Sequence, residues 1–489
     1  MRRVVFSPQL DAQVVNQYTR LSVDPGSSST LIFWKLDSAI EGIFVNGNSV
    51  PISVFQGLLA CYIGGIMVEM AEIGNLQQLI SVSCPRLLGS LVFDHAIILT
   101  RPMPPIDNTH EAIARARGRQ FWVHPINMLR EEHGHIGQLY EELRQYPEKF
   151  YNFTRMPMEA FDKLVDILGP YIQRQNTRMR QAITAKDRLL ITLRFLATGE
   201  SFASLHLQFR VGKSTISGIV RSTCRVIWEY LQPISMPSPT QETWLQAAAG
   251  FQSVANFPNC IGAVDGKHVR VQQPPASGSL YFNYKKYFSV VLMAVADASY
   301  KFLAIDVGAY GGTGDSRVLM TSQFGREVLL NQATLPPPRP LPGTTRPVPF
   351  VLVSDEAFPL MTNLLRPYPQ RGLDARRRVF NMRLSRARRF VECTFGIMAG
   401  KWRVFTSAMQ LDEATVDSVI KAACVLHNFV RDYESSPDLG LETHEALDDS
   451  TVNWGSGRPS NRAVLVRETF TDYFMSPEGA LPRQFGQPQ

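Results

Sequence analysis

Three acidic residues stand out by where they fall. Asp265 closes the apolar run Cys260-Ile-Gly-Ala-Val, Asp355 follows Val348-Pro-Phe-Val-Leu-Val-Ser, and Glu392 is the only acid between Asp374 and Asp412. A carboxylate at the end of a buried-type run is costly unless it meets a cation or water. Carboxylates on neighbouring strand ends and one packed helix can share two hard divalent cations about 3.5–4 Å apart, the arrangement that cleaves phosphodiesters. Mg²⁺ or Mn²⁺ suits so few oxygen ligands. Each acid alone has a plainer role. Glu392 could pair with Arg388 for about 0.3–0.5 kcal/mol, and Asp265 could cap a turn before Gly266. Taken jointly, with Asp355 and Glu392 only 37 residues apart, Asp265, Asp355 and Glu392 are assigned as metal ligands and catalytic residues of a metal-dependent endonuclease.

Such acids need rigid supports. Cys260–Asp265 and 268–272 read as short strands, 288–296 as a continuous apolar strand, and 302–307 as its antiparallel return after the turn 297–300. Asp315 is placed as a helix cap, and 348–353 is a further strand that delivers Asp355. Residues 382–401 form a helix with the apolar stripe Leu384, Ala387, Val391, Thr394 and Met398, and Glu392 lies at its edge. A three-strand meander, a helix, a strand and a helix give an α/β, ribonuclease H-like fold over 250–435.

The region 109–235 is expected to be helical. Met158, Phe161, Leu164, Val165 and Leu168 recur at the helical period and Gly169-Pro170 stops that helix, while Thr184 and Asp187 cap the next. Helices 201–209 and 213–230, joined by Phe209-Arg-Val-Gly212, have the layout of a candidate helix-turn-helix. Lys213, Ser214, Thr215 and Arg221 would then meet DNA. Gly212-Lys-Ser-Thr215 is no Walker A loop, because Leu207 stands where that loop needs a glycine.

Charge agrees with a polyanionic partner. The formal net charge is +7 over 489 residues, yet 366–405 alone carries eleven Lys/Arg against Asp374 and Glu392. Concentrated positive charge is the footprint of a phosphate-backbone binder, and Arg383, Arg386, Arg388 and Arg389 are assigned to DNA. The six cysteines are scattered without a CxxC pair, so no disulfide framework or zinc knuckle is expected. Residues 1–108 receive no assignment, and 436–489 read as an acidic tail. The apolar run 50–68 is long enough for a bilayer, but three glycines and the adjacent Glu69 and Glu72 favour a buried segment, and no membrane association is expected.

The ordered motifs Ile261-Gly-Ala-Val-Asp-Gly-Lys-His-Val-Arg270, Tyr284-Lys-Lys-Tyr-Phe-Ser289, Ala296-Asp-Ala298, Asp315-Ser-Arg317, Ser354-Asp-Glu-Ala-Phe-Pro-Leu360, Val391-Glu-Cys-Thr-Phe-Gly-Ile397 and Cys424-Val-Leu-His-Asn428 resemble those of the PIF/Harbinger transposases and the nucleases derived from them. The resemblance runs from about 115 to 435. It implies a DDE nuclease with Asp265, Asp355 and Glu392 as the DDE acids, DNA as substrate, a nuclear protein with the cytoplasm as a second location, and a separate Myb/SANT-like targeting partner. A catalytically silent DNA- or chromatin-binding descendant is the alternative. The sequence departs from the family at Gly314, where the family usually has histidine.

Overall fold

A computed structural model describes residues 121–434 and 459–481, apart from 122, 129, 131–137, 179–180 and 331–333, together with four strands between 18 and 50. The chain divides into two compact units, Met1–Gln120 and Phe121–Gln489. In the first, β1 (Tyr18–Ser22), β2 (Thr30–Leu36), β3 (Ala39–Val45) and β4 (Asn48–Val50) pair antiparallel in sequential order. The two residues between β3 and β4 are Asn46-Gly47, a dipeptide suited to tight hairpins. Beyond Val50, the apolar run to Val68 lies outside the described residues. Among the described residues no helix is long and apolar enough to cross a membrane.

The second unit opens with helices: α1 (Pro125–Met128), α2 (Gln138–Gln145), α3 (Pro147–Thr154), α4 (Met158–Ile172), α5 (Ala185–Thr198), α6 (Phe202–Phe209), α7 (Lys213–Ser235) and α8 (Gln241–Gly250). The Thr184 side chain accepts the Asp187 N–H at the start of α5, as its sequence suggests. α4 instead runs past the expected Gly169-Pro170 stop. Pro170 falls in the last turn, where only one backbone bond is forfeited, and the extra turn buries Ile172.

A five-stranded mixed sheet follows. β5 (Cys260–Arg270), β6 (Ser289–Ala296) and β7 (Phe302–Tyr310) form the antiparallel meander. α9 (Asp315–Thr321) and a small hairpin of β8 (Arg339–Pro340) and β9 (Pro347–Val348) precede β10 (Val351–Val353) and β11 (Leu364–Leu365). β10 runs parallel to both β5 and β11. α10 (Ala375–Lys401), α11 (Glu413–Arg431) and α12 (Asn461–Met475) complete the unit. This mixed sheet after a helical region is compatible with the expected nuclease domain.

Strand alternation divides the core in two. Val290, Leu292, Ala294 and Ala296 of β6 join one cluster with α10, α11 and the early helices, while Val291, Met293 and Val295 join another with Trp244 of α8 and Val318 and Leu319 of α9. The first cluster reaches from α2 to α12, so the helical region and the sheet share one core. α12 also corrects the acidic-tail expectation, since Phe470 and Phe474 are fully buried and Glu468 pairs with Arg376 of α10.

Candidate active site

β5 was expected to break at its acid, but it is one strand of 11 residues that runs through Asp265-Gly266. Asp265 pairs with Ala294 and Gly266 with Met293 on β6, so no turn exists there for Asp265 to cap. On the other side Val353 of β10 lies opposite Ala263 in parallel register. Two residues further along, Asp265 and Asp355 therefore reach the same level of the sheet. Ala263 and Val353 both belong to the cluster shared with α10, and side chains two residues apart share a face. That face meets the α10 turn bearing Arg388 and Glu392.

The expected stripe of α10 is observed, with Leu384, Ala387, Val391, Thr394 and Met398 all buried. Glu392 at its edge is one-third exposed. Arg388 Nη1 lies 2.5 Å from Glu392 Oε1 and 3.7 Å from Asp265 Oδ2, so one guanidinium bridges two of the three acids. Asp265 Oδ1 accepts the Gly266 N–H at 2.8 Å, and Asp355 Oδ1 accepts that of Ala357 at 2.9 Å.

A further acid arrives from the opposite side. Asp315 begins α9 with Gly314 in the cap position, not as the cap itself. A Cβ added at Gly266 would come within 2.5 Å of the Asp315 carboxylate, so glycine is what lets this acid approach β5. Burial, then the neighbouring Asp355 carboxylate, push the Asp265 carboxyl well above its ordinary range, Asp315 adds to this, and Arg388 opposes it. Like charges gathered at a partly buried point are what a divalent cation would relieve. The donors are all oxygens, which suits Mg²⁺ or Mn²⁺. As the side chains stand, no group of three His, Cys, Asp or Glu among the described residues is close enough to hold a metal. Glu392 is engaged by Arg388 instead.

The residues expected at DNA divide. Lys213 and Ser214 are exposed on the first turn of α7, with Thr215 half-buried beside them. Arg221 is tied to α11 through Asp412 (2.5 Å) and Thr415 (2.9 Å). Arg386 is exposed and donates to the Val254 carbonyl, and Arg389 is exposed. Arg383 corrects its assignment: it is buried, donates to the Asn256 and Gly479 carbonyls, and lies over the Phe474 ring. Burial pushes its guanidinium down to about 10.

Lys267 was passed over. It follows Asp265 by two positions on the same face, and its ammonium lies 5.8 Å from the Phe395 ring of α10. The His427-Asn428 pair is structural. His427 Nε2 donates to the Tyr300 carbonyl at 2.7 Å, and Asn428 accepts the Phe302 N–H at 2.8 Å while donating to the Phe302 and Ser235 carbonyls.

Residues 264–428 match the family described as DDE superfamily endonuclease. The chain is 24% identical over 299 residues to the ALP1-like protein of Arabidopsis thaliana, covering 59% of this chain and 72% of that one. It is 26% identical over 258 residues to the antagonist of like heterochromatin protein 1 from the same plant, covering 51% and 63%. HARBI1 of Bos taurus, named provisionally as a nuclease, is 26% identical over 310 residues, covering 60% and 81%. No solved structure matches. An acid on β5 and one just beyond β10, facing an arginine-rich helix that carries the third, thus all fall inside residues 264–428, the segment that matches the DDE superfamily endonuclease family.

Proposed function

We propose that this protein cleaves DNA phosphodiester bonds at Asp265, Asp355 and Glu392, using two Mg²⁺ or Mn²⁺ ions in a ribonuclease H-like domain. The observation that carries this reading is the parallel register of β5 and β10, which brings Asp265 and Asp355 level with each other beneath the helix bearing Glu392. Asp265 and Asp355 would hold the shared side of the pair, and Glu392 would complete the set by turning away from Arg388. Bound there, the ions would activate the attacking oxygen and stabilise the leaving one. Arg388 neutralises Asp265 and Glu392 in the arrangement seen here. Lys213 and Ser214 on α7, with Arg386 and Arg389 on α10, supply exposed groups for the phosphate backbone, and α6 and α7 would serve as a helix-turn-helix. A nuclear location and a Myb/SANT-like partner belong to the same reading, on resemblance alone.

Nicking of supercoiled DNA in Mn²⁺ tests the proposal. Glu392→Gln and Asp355→Asn are expected to lower the rate by more than about 100-fold, beyond the effect of typical outer-shell changes. One relative is named as antagonist of a chromatin protein, which favours a silent chromatin-binding descendant as the second reading. Cleavage equal in the wild type and both variants would remove the catalytic assignment, and cleavage absent from all three while DNA is still bound would support the silent reading instead.

A further inference from the structure

We infer that the tip of the β5–β6 connection, Phe282 to Lys286, is a stacking platform for unpaired nucleotides on the sheet that carries the acids. This rests on the DDE reading above and adds a substrate feature to it.

The tip is held firmly. Phe282 and Phe288 form an antiparallel bridge, the Asn283 N–H donates to the Tyr287 carbonyl at 2.9 Å, and the Lys286 N–H donates to the Asn283 carbonyl at 3.1 Å. The buried Asn283 side chain accepts from the Tyr287 N–H and donates to Ser289 Oγ, which also meets His268 Nδ1 at 2.9 Å. Lys286 adopts φ +64°, a left-handed conformation that a non-glycine residue keeps only when its surroundings enforce it. Burial alternates along the segment. Tyr281 and Asn283 point inward, whereas Phe282 (43% exposed), Tyr284 (45% exposed), Lys285 and Lys286 face solvent. A rigid turn that displays two aromatic rings and two lysines gains nothing from burying them, which marks it as a surface kept for a ligand.

Position and charge identify the ligand. The Tyr284 ring lies edge-on to His268 with centroids 5.4 Å apart, and Lys285 Nζ is 5.3 Å from the Tyr284 ring. His268 is three residues beyond Asp265 on β5, about 10 Å at the rise of a strand, with its side chain on the other face of the sheet. Lys267, on the same face as Asp265, carries positive charge between the acids and Lys285. From Gly266 to Ala296 the sequence holds no Asp or Glu, while Lys267, Arg270, Lys285 and Lys286 are basic. Aromatic faces alternating with ammonium groups suit bases stacked between held phosphates. A paired duplex offers no free base faces, so the favoured substrate is DNA with unpaired nucleotides.

The test uses the full chain in EDTA, where cleavage is silent. One probe is a duplex with a three-nucleotide single-stranded gap carrying 2-aminopurine, and the other is the same duplex fully paired. Wild type should bind the gapped probe roughly tenfold more tightly and quench its fluorescence, Tyr284→Ala should lose both effects, and Tyr284→Phe should keep them. Lys285→Ala should weaken both probes alike. No preference and no quenching by wild type, or both unchanged in Tyr284→Ala, would overturn the inference. Failure to bind either probe would do the same and give the patch to a protein partner. The DDE reading is scored separately by Glu392-dependent nicking in Mn²⁺, so stacking can fail while that reading stands.

Discussion

Arg388 does for the acids what a metal would do, at lower charge. It touches Glu392 and Asp265 while Asp355 and Asp315 press on Asp265 from two other elements. Arg388→Gln should therefore cost about 1–3 kcal/mol of stability at pH 8 in EDTA, and Mn²⁺ should restore most of it. Urea titrations with and without Mn²⁺ check this, and an unchanged midpoint in EDTA would refute it. His427 makes a separate prediction. Burial pushes its imidazole down from 6.5 to about 4, so the folded state keeps it neutral. Below pH 6.5 the unfolded chain binds a proton that the native state refuses, so stability from this residue is full above 6.5 and falls until pH passes about 4. The loss approaches about 3 kcal/mol across that window, and denaturation of His427→Gln should show the slope flattened. The three acids drew attention because a carboxylate after an apolar run, or alone among arginines, is chemically conspicuous. Arg383 was not, since charge density along a sequence does not record depth: Arg383 and Arg386 look alike there, yet one is buried and the other exposed.

Among the elements, α10 was readable in advance because its stripe keeps the helical period through Leu384, Ala387, Val391, Thr394 and Met398. β5 was misread as two pieces, because Gly266 after an acid resembles a turn. Only the full pairing with β6, and the Asp315 carboxylate filling the space a Cβ would take, explain that glycine. α12 was hidden by the averaged acidity of the last fifty residues, although Ala463, Val466, Phe470 and Phe474 repeat at helical spacing and are all buried. The α11 start offers the sharpest element-level test. Asp412 caps it by accepting from the Thr415 N–H (3.1 Å) and hydroxyl, and it also anchors Arg221 of α7. Asp412→Ala should cost about 1–2 kcal/mol in chemical denaturation. Asp412→Asn, which keeps a cap, should recover part of that loss, and equal stability of all three proteins would contradict this account of α11.

Across the whole molecule, the functional assignment depends on parts of the chain that only folding brings together. Asp265 and Asp355 are set level by a parallel pairing between strands some ninety residues apart in the sequence, and Glu392 comes from a helix across that face. The early helices join the same core, so the basic first turn of α7 and the acids ride on one body. Mn²⁺ titration followed by electron paramagnetic resonance addresses the central claim most directly, because it reads metal binding without requiring cleavage. Saturable binding by the wild type, weakened at least about tenfold in each of Asp265→Asn, Asp355→Asn and Glu392→Gln, is the expected result. Wild-type affinity in any one of those folded variants would contradict a metal site shared by the three acids.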